Sequence, residues 1–267
     1  MGINHFRALA AVIVTASFVV TACAGPKHPA SETQVPTPHV GFDYQIGGPY
    51  HPPSGVSVVS RDHTADPAVG LYNICYVNAF QTQPGAERDW DPTLLLHDAS
   101  GAVVIDPDWN EALLDLTTAA KRQRIAAIVN NWIDTCAAKG FQAVEPDNFD
   151  SYTRSRNLLT SDEAQQYIRL LSAHAHDRGL AIAQKNTAEL ADNRRRNGLD
   201  FAIAEECAEN DECATYADAF DNHVEVIEYT DHGLAEACSR FGDRLSIIER
   251  DKQVSTPDNE EYLRKTC

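Results

Sequence analysis

The sequence predicts a (β/α)8 barrel, and three observations carry that prediction. Eight short apolar runs of strand character alternate with helical patterns between Gly41 and Cys267. No glycine-rich phosphate loop follows any of them, which disfavours the alternative of a doubly wound sheet. Nearly every run ends in a polar or ionisable residue, as expected where the C-terminal ends of barrel strands converge on one site.

The eight runs are Phe42–Ile46, Val56–Ser60, Tyr72–Ala79, Phe141–Glu145, Leu180–Lys185, Phe201–Glu205, Val224–Glu228 and Leu245–Glu249. A further short strand is expected at Leu113–Leu116. Helices are expected at Ala119–Lys139, Ser161–Arg178 and Gly233–Phe241. The second is the clearest. Thr160 or Ser161 caps it, Asp162 and Glu163 sit in its first turn, and Tyr167, Ile168, Leu170 and Leu171 recur at helical spacing before Arg178-Gly179 ends it.

The first segment points to an exported protein. His5 and Arg7 precede an apolar run from Ala8 to Val20, with no acid before Cys23, which is the pattern of a secretory signal. The run is too short for a membrane span. Val20-Thr21-Ala22-Cys23 resembles a bacterial lipobox, so residues 1–22 are expected to be removed and Cys23 to carry the lipid. An ordinary secreted protein cut nearby is the alternative. Residues 23–40, rich in Pro, Ser and Thr, read as a disordered tether, and 41–267 as the folded domain. The expected location is the outer face of the cell membrane, with the lipid as the sole membrane contact.

Seven cysteines are present. Setting Cys23 aside leaves six in an oxidising compartment, so three disulfides are expected. Cys207 and Cys213 bracket a short acidic loop and are the best-supported pair. The connectivity of Cys75, Cys136, Cys238 and Cys267 stays open, with Cys75–Cys136 and Cys238–Cys267 the simplest completion. The spacing suggests no zinc site, no HExxH motif occurs, and no metal or cofactor is expected. No GxSxG turn is present for serine esterase chemistry. With 39 acids against 22 Lys and Arg, the formal charge is −17. That disfavours nucleic acid and anionic membranes as partners and suits a neutral or cationic one.

The chemistry centres on Phe141–Tyr152, FQAVEPDNFDSY. Gln142-Ala143-Val144 reads as a buried strand that Pro146 stops, leaving Glu145, Asp147 and Asn148 at its end. The other strand ends contribute Gln45, Asn78 with Gln81, Lys185 with Asn186, Glu205 with Glu206, Glu228 with Tyr229, and Glu249 with Arg250. Paired carboxylates across a cleft suit glycoside hydrolysis, one attacking or activating water and the other protonating the leaving oxygen. Lys185 is expected either to hold a sugar hydroxyl or to pair with Glu145 or Glu205.

KGFQAVEPDNFDSY, TSDEAQQYIRLLSAHAHDRGLAIAQKN, DFAIAEECAENDEC, HVEVIEYTD and LSIIERD together resemble glycoside hydrolase family 114, the endo-α-1,4-polygalactosaminidase-like barrels. The resemblance spans nearly the whole of Gly41 to Arg250. It implies a retaining mechanism with Asp147 as nucleophile and Glu205 as general acid/base, and carboxyl groups about 5 Å apart. It further implies that Gln45, Glu145, Asn148, Lys185, Asn186, Glu228 and Tyr229 bind substrate. The implied substrate is a cationic amino-sugar polysaccharide, handled by a monomer. Three departures stand out: Asp43 where an aromatic is common, NAFQTQPGAERDW in place of a Ser/Gly-rich stretch leading to Trp-Glu, and Glu206 where Gln is frequent. The competing reading is a surface lipoprotein that binds glycans through the same cleft without cleaving them.

Overall fold

The computed structural model describes residues 1–2 and 33–267. The signal segment, Cys23 and most of the tether lie outside the described residues. Among the described residues, no helix is long and apolar enough to cross a membrane.

In chain order, β1 (Gly41–Gln45), β2 (Val56–Asp62) and β3 (Tyr72–Asn78) come first, joined by loops without helices. A small hairpin of β4 (Ile105–Asp106) and β5 (Glu111–Ala112) follows, then α1 (Ala119–Lys139) and β6 (Ala143–Asp147). The rest of the chain alternates: α2 (Ser151–Arg154), α3 (Ser161–Asp177), β7 (Ala181–Lys185), α4 (Arg194–Asn197), β8 (Phe201–Glu205), α5 (Cys213–Ala219), β9 (Val224–Glu228), α6 (Asp231–Phe241) and β10 (Ser246–Arg250). A last strand, β11 (Arg264–Thr266), was not expected from the sequence. Nine strands form one curled sheet in the order β1-β2-β3-β6-β7-β8-β9-β10-β11. The first eight run parallel, and β11 lies antiparallel on β10.

Local chemistry explains the boundaries. Thr118 caps α1 by accepting from Lys121 N, and Gly140 ends it at φ 90°. Thr160 and Glu163 form a reciprocal capping box on α3. Pro146 does not stop its strand as expected. The β3–β6 ladder continues through Pro146 and Asp147, whereas the β6–β7 ladder ends at Val144. The missing N–H therefore falls beyond the end of the ladder it would have interrupted.

The core has two compartments separated by the sheet. Inside the barrel are Phe42, Val58, Ile74, Ala143, Phe201 and Ile248 among others, and outside it the helices cover the remaining strand faces. Part of the stretch read as a tether is docked rather than loose. Tyr72 donates to Gln34 O (2.5 Å), Val40 N to Ser246 Oγ (3.2 Å), and Val35 packs against the interior cluster. Glu225, which pairs with no cation among the described residues, is buried, and burial pushes its carboxyl up to about 8.

The seam between β1 and β10 carries no ladder among the described residues, and side chains close it. Arg250, fully buried, donates to Tyr44 O across the seam, to Ser255 O (2.6 Å) and to Leu263 O (2.8 Å). Arg264 on β11 adds bonds to Asp43 Oδ1 (2.9 Å) and Phe42 O (3.0 Å). All three disulfides are formed: Cys75–Cys136 ties β3 to α1, Cys207–Cys213 closes the loop after β8, and Cys238–Cys267 pins the C-terminus to α6.

Replacing Arg250 by Met roughly keeps the volume but strands two buried carbonyls and one half-buried one. The expected loss is about 3 kcal/mol or more of unfolding free energy, with Tm lower by roughly 6–12 °C. Urea and thermal denaturation measure both; a change below about 1 kcal/mol would show that the seam does not depend on this guanidinium.

Candidate active site

Strand alternation decides which side chains enter the barrel mouth. On β6 the inward set is Ala143, Glu145 and Asp147; on β7 it is Ala181, Ala183 and Lys185; on β8 it is Phe201, Ile203 and Glu205. Three carboxylates from two strands therefore face one ammonium. Lys185 Nζ lies 3.0 Å from Glu145 Oε1, 3.2 Å from Asp147 Oδ1 and 3.3 Å from Glu205 Oε2, with its side chain 1% exposed. Two oxygens that share one nitrogen at these distances cannot be further apart than their sum. Asp147 Oδ1 and Glu205 Oε2 are thus within about 6.5 Å of each other.

Each carboxylate has its own fixed partners. Glu145 sits beneath the floor, accepting from Tyr44 OH (2.8 Å) and Ser60 Oγ (2.5 Å). Tyr76 OH donates to Asp147 Oδ2 (2.7 Å). Asn186 donates Nδ2 to Glu205 Oε2 (3.1 Å) and accepts from Glu205 N (2.8 Å), and Tyr229 OH donates to Glu205 Oε1. Burial works against the charge on Asp147. The Lys185 ammonium, the Tyr76 hydroxyl and the Asn148 backbone N–H together more than offset it, and hold the carboxyl below its ordinary value. For Glu145 burial prevails over Lys185 and raises the carboxyl. Burial likewise opposes the charge on Lys185, yet Asp147, Glu205 and Glu145 hold it well above its usual range.

Above this floor the cleft has two adjoining lobes. One, of about 270 Å³, is lined by Asp147, Asn148, Tyr76, Glu111, Arg154 and Glu205. The other, of about 360 Å³, is lined by Glu205, Glu206, Glu189, Glu212, Asn210 and Tyr216. Trp109, Asn186, Tyr229 and Lys252 border both. Trp109, from the β4–β5 hairpin, keeps 49% of its surface exposed. Glu111, on the same hairpin, accepts from Asn78 Nδ2 (2.9 Å), and burial, with Asp147 and Asp106 nearby, pushes it up to about 7. Among the described residues, the metal-capable side chains close enough to share an ion are Cys207, Cys213 and Glu228, and both sulfurs are tied in a disulfide.

A family model described as glycoside-hydrolase family GH114 matches residues 25–267. The chain belongs to this family. It is a glycoside hydrolase. Solved structures agree on the fold. Ega3 of Aspergillus fumigatus, in complex with galactosamine, is 21% identical over 91% of this chain and all of that one, with a TM-score of 0.71. The glycoside hydrolase domain of PelA from Pseudomonas aeruginosa is 14% identical over 82% of this chain and 96% of that one, with a TM-score of 0.52. No curated protein sequence matches significantly.

Of the residues expected in the GH114 site, Asp147, Asn148, Asn186, Glu205 and Tyr229 line the cleft. Glu145 and Lys185 lie below it, sealed from solvent, and form the internal ion pair rather than sugar contacts. Gln45 and Glu228 are corrections. Gln45 faces out of the barrel, donating to Asp43 Oδ2 (2.8 Å) and accepting from Arg61 Nε (2.9 Å). Glu228 also faces outward, between the inward Ile227 and Tyr229, and accepts from Ala208 N (2.8 Å). Burial pushes its carboxyl up to about 7. Arg250, read as a strand-end group, closes the seam instead. Tyr76, Trp109, Glu111 and Lys252 were missed. Tyr76 was findable, since it precedes the recognised Asn78 by one inward step.

Replacing Lys185 by Met leaves buried carboxylates without their cation. The expected cost is about 3 kcal/mol, together with an upward move of Asp147 in a carboxyl NMR titration. In the wild type Asp147 ionises below its unfolded value, so it adds stability at neutral pH that is lost as pH falls below about 4; the variant lacks that acid-side slope. An unchanged Asp147 titration would contradict the assignment.

Proposed function

We propose that this protein is a retaining endo-glycosidase that cleaves α-1,4-galactosaminidic linkages in a galactosamine-containing polysaccharide. The observation that carries the reading is the shared contact of Asp147 and Glu205 with Lys185 Nζ. A gap of at most about 6.5 Å between these two oxygens is compatible with the ~5–5.5 Å carboxyl separation of retaining enzymes. Galactosamine as the sugar is supported by family membership and by the galactosamine complex of Ega3. An acidic cleft suits a polymer of protonated amines.

Asp147, ionised and half-buried at the cleft floor, is the nucleophile. It attacks the anomeric carbon while Glu205 gives its proton to the departing glycosidic oxygen, and a glycosyl ester forms on Asp147. Esterification removes the charge of Asp147. Lys185 then faces Glu145 and Glu205 alone, and Glu205 takes a proton from the incoming water. Attack of that water on the anomeric carbon frees the sugar and restores Asp147. The lobe containing Asp147 holds the donor sugar, with Asn148 at its wall. The sequence further supports anchoring through a lipid on Cys23, which would place the enzyme at the outer face of the membrane as a monomer.

Reducing-end release from partly deacetylated galactosamine polymer tests the activity. Asp147→Asn and Glu205→Gln are each expected to lower kcat by about 10³-fold. No release by the wild type on any amino-sugar polymer, or an Asp147→Asn variant within tenfold of it, would overturn the proposal.

A further inference from the structure

The second lobe holds Glu205 but not Asp147. If Glu205 protonates the leaving oxygen, this lobe receives the leaving sugar, and its carboxylates decide which sugar that is. Most of them are already engaged. Asp150 pairs with Arg154 NH1 (2.6 Å), Glu189 accepts from Tyr152 OH, and Glu205 is held by Asn186, Tyr229 and Lys185. Glu206 differs. Its one cationic neighbour among the described residues is Lys252 Nζ at 3.7 Å, an ion pair too long for a hydrogen bond. Both side chains are open to solvent, and exposed pairs of this kind contribute little. Lys252 also lies over the Tyr229 ring at 5.8 Å, so the lobe already holds one amine against its acidic wall.

The backbone of Glu206 is fixed in place. It adopts φ 53°, its N–H donates to Ile227 O (2.8 Å), and its carbonyl accepts from both Asn210 N and Asn210 Nδ2 (3.0 Å each). The Cys207–Cys213 disulfide begins at the next residue. The carboxylate is thus presented from a hydrogen-bonded turn beside the general acid, in a lobe that the exposed Trp109 indole also borders. A sugar ring lying against the indole would bring its amine into an acid-lined space.

We propose that the second lobe is the leaving-side subsite and that Glu206 selects a protonated amino sugar there, its carboxylate exchanging the Lys252 ammonium for that of the substrate. This rests on the catalytic assignment above. An N-acetylated sugar brings no charge to exchange, so it gains nothing from Glu206 and must fit its acetyl group against Lys252.

Cleavage leaves the leaving-side sugar as a new non-reducing end, so the selectivity can be read from products. Partly N-acetylated galactosamine oligosaccharides are digested at about pH 6, where sugar amines are protonated, and new ends are identified by mass spectrometry. The wild type is expected to leave free-amine sugars at these ends. Glu206→Gln should lower the kcat/KM ratio of free-amine to N-acetylated leaving sugars about tenfold, and Glu206→Asp should recover part of it. Removing the competing ammonium with Lys252→Ala should raise kcat/KM for the free-amine oligomer. An unmoved ratio in Glu206→Gln, with a wild type that cleaves galactosamine oligomers, overturns this proposal alone. A wild type that cleaves none of them overturns the catalytic assignment and this proposal with it.

Discussion

One buried ammonium organises the barrel mouth. Lys185 is 2% exposed and touches carboxylates from β6 and β8. An isolated buried cation is strongly disfavoured, and so are isolated buried carboxylates. Each is tolerable here only because the others are present. The hydroxyls of Tyr44, Ser60 and Tyr76 take up lone pairs that Lys185 cannot reach. The same arrangement that satisfies the burial also brings an oxygen of Asp147 within about 6.5 Å of one of Glu205. Stability and chemistry are therefore properties of one network.

That network needs a frame that does not shift. Two of the seven connections between the parallel strands have no helix, and among the described residues the β1–β10 edge has no ladder. Arg250 and the C-terminal strand take the place of both, bonding backbone carbonyls across the gap. Cys238–Cys267 holds that strand's end, and Cys207–Cys213 holds the turn next to Glu205. Outward-facing Glu228 belongs to the same frame, since its bond to Ala208 N secures the start of the disulfide loop.

The strands and long helices were legible because apolar runs and caps are local signals. α1 begins and ends where its Thr118 cap and Gly140 stop place it. Asp147, Glu205 and Lys185 were legible because each closes a strand at the inward parity. Gln45 and Glu228 failed on that same parity: each is one residue out of step with its inward neighbours, Tyr44 and Tyr229. Proximity in sequence to a site says nothing about which face a strand residue takes. The β4–β5 hairpin was illegible for another reason. Two-residue strands have no periodicity, so Trp109 and Glu111 gave no local sign of reaching the cleft. The seam contacts of Arg250 join residues some 200 positions apart, as with Tyr44, and no local pattern encodes them.

The central claim is that the shared contact with Lys185 sets a retaining geometry. The most direct test is ¹H NMR of the first hemiacetal released when the enzyme cleaves an α-linked galactosamine oligomer. The account predicts the α-anomer first, with the β-anomer growing in later by mutarotation. Appearance of the β-anomer first would show inversion, and would mean that Asp147 and Glu205 activate water rather than form a glycosyl ester.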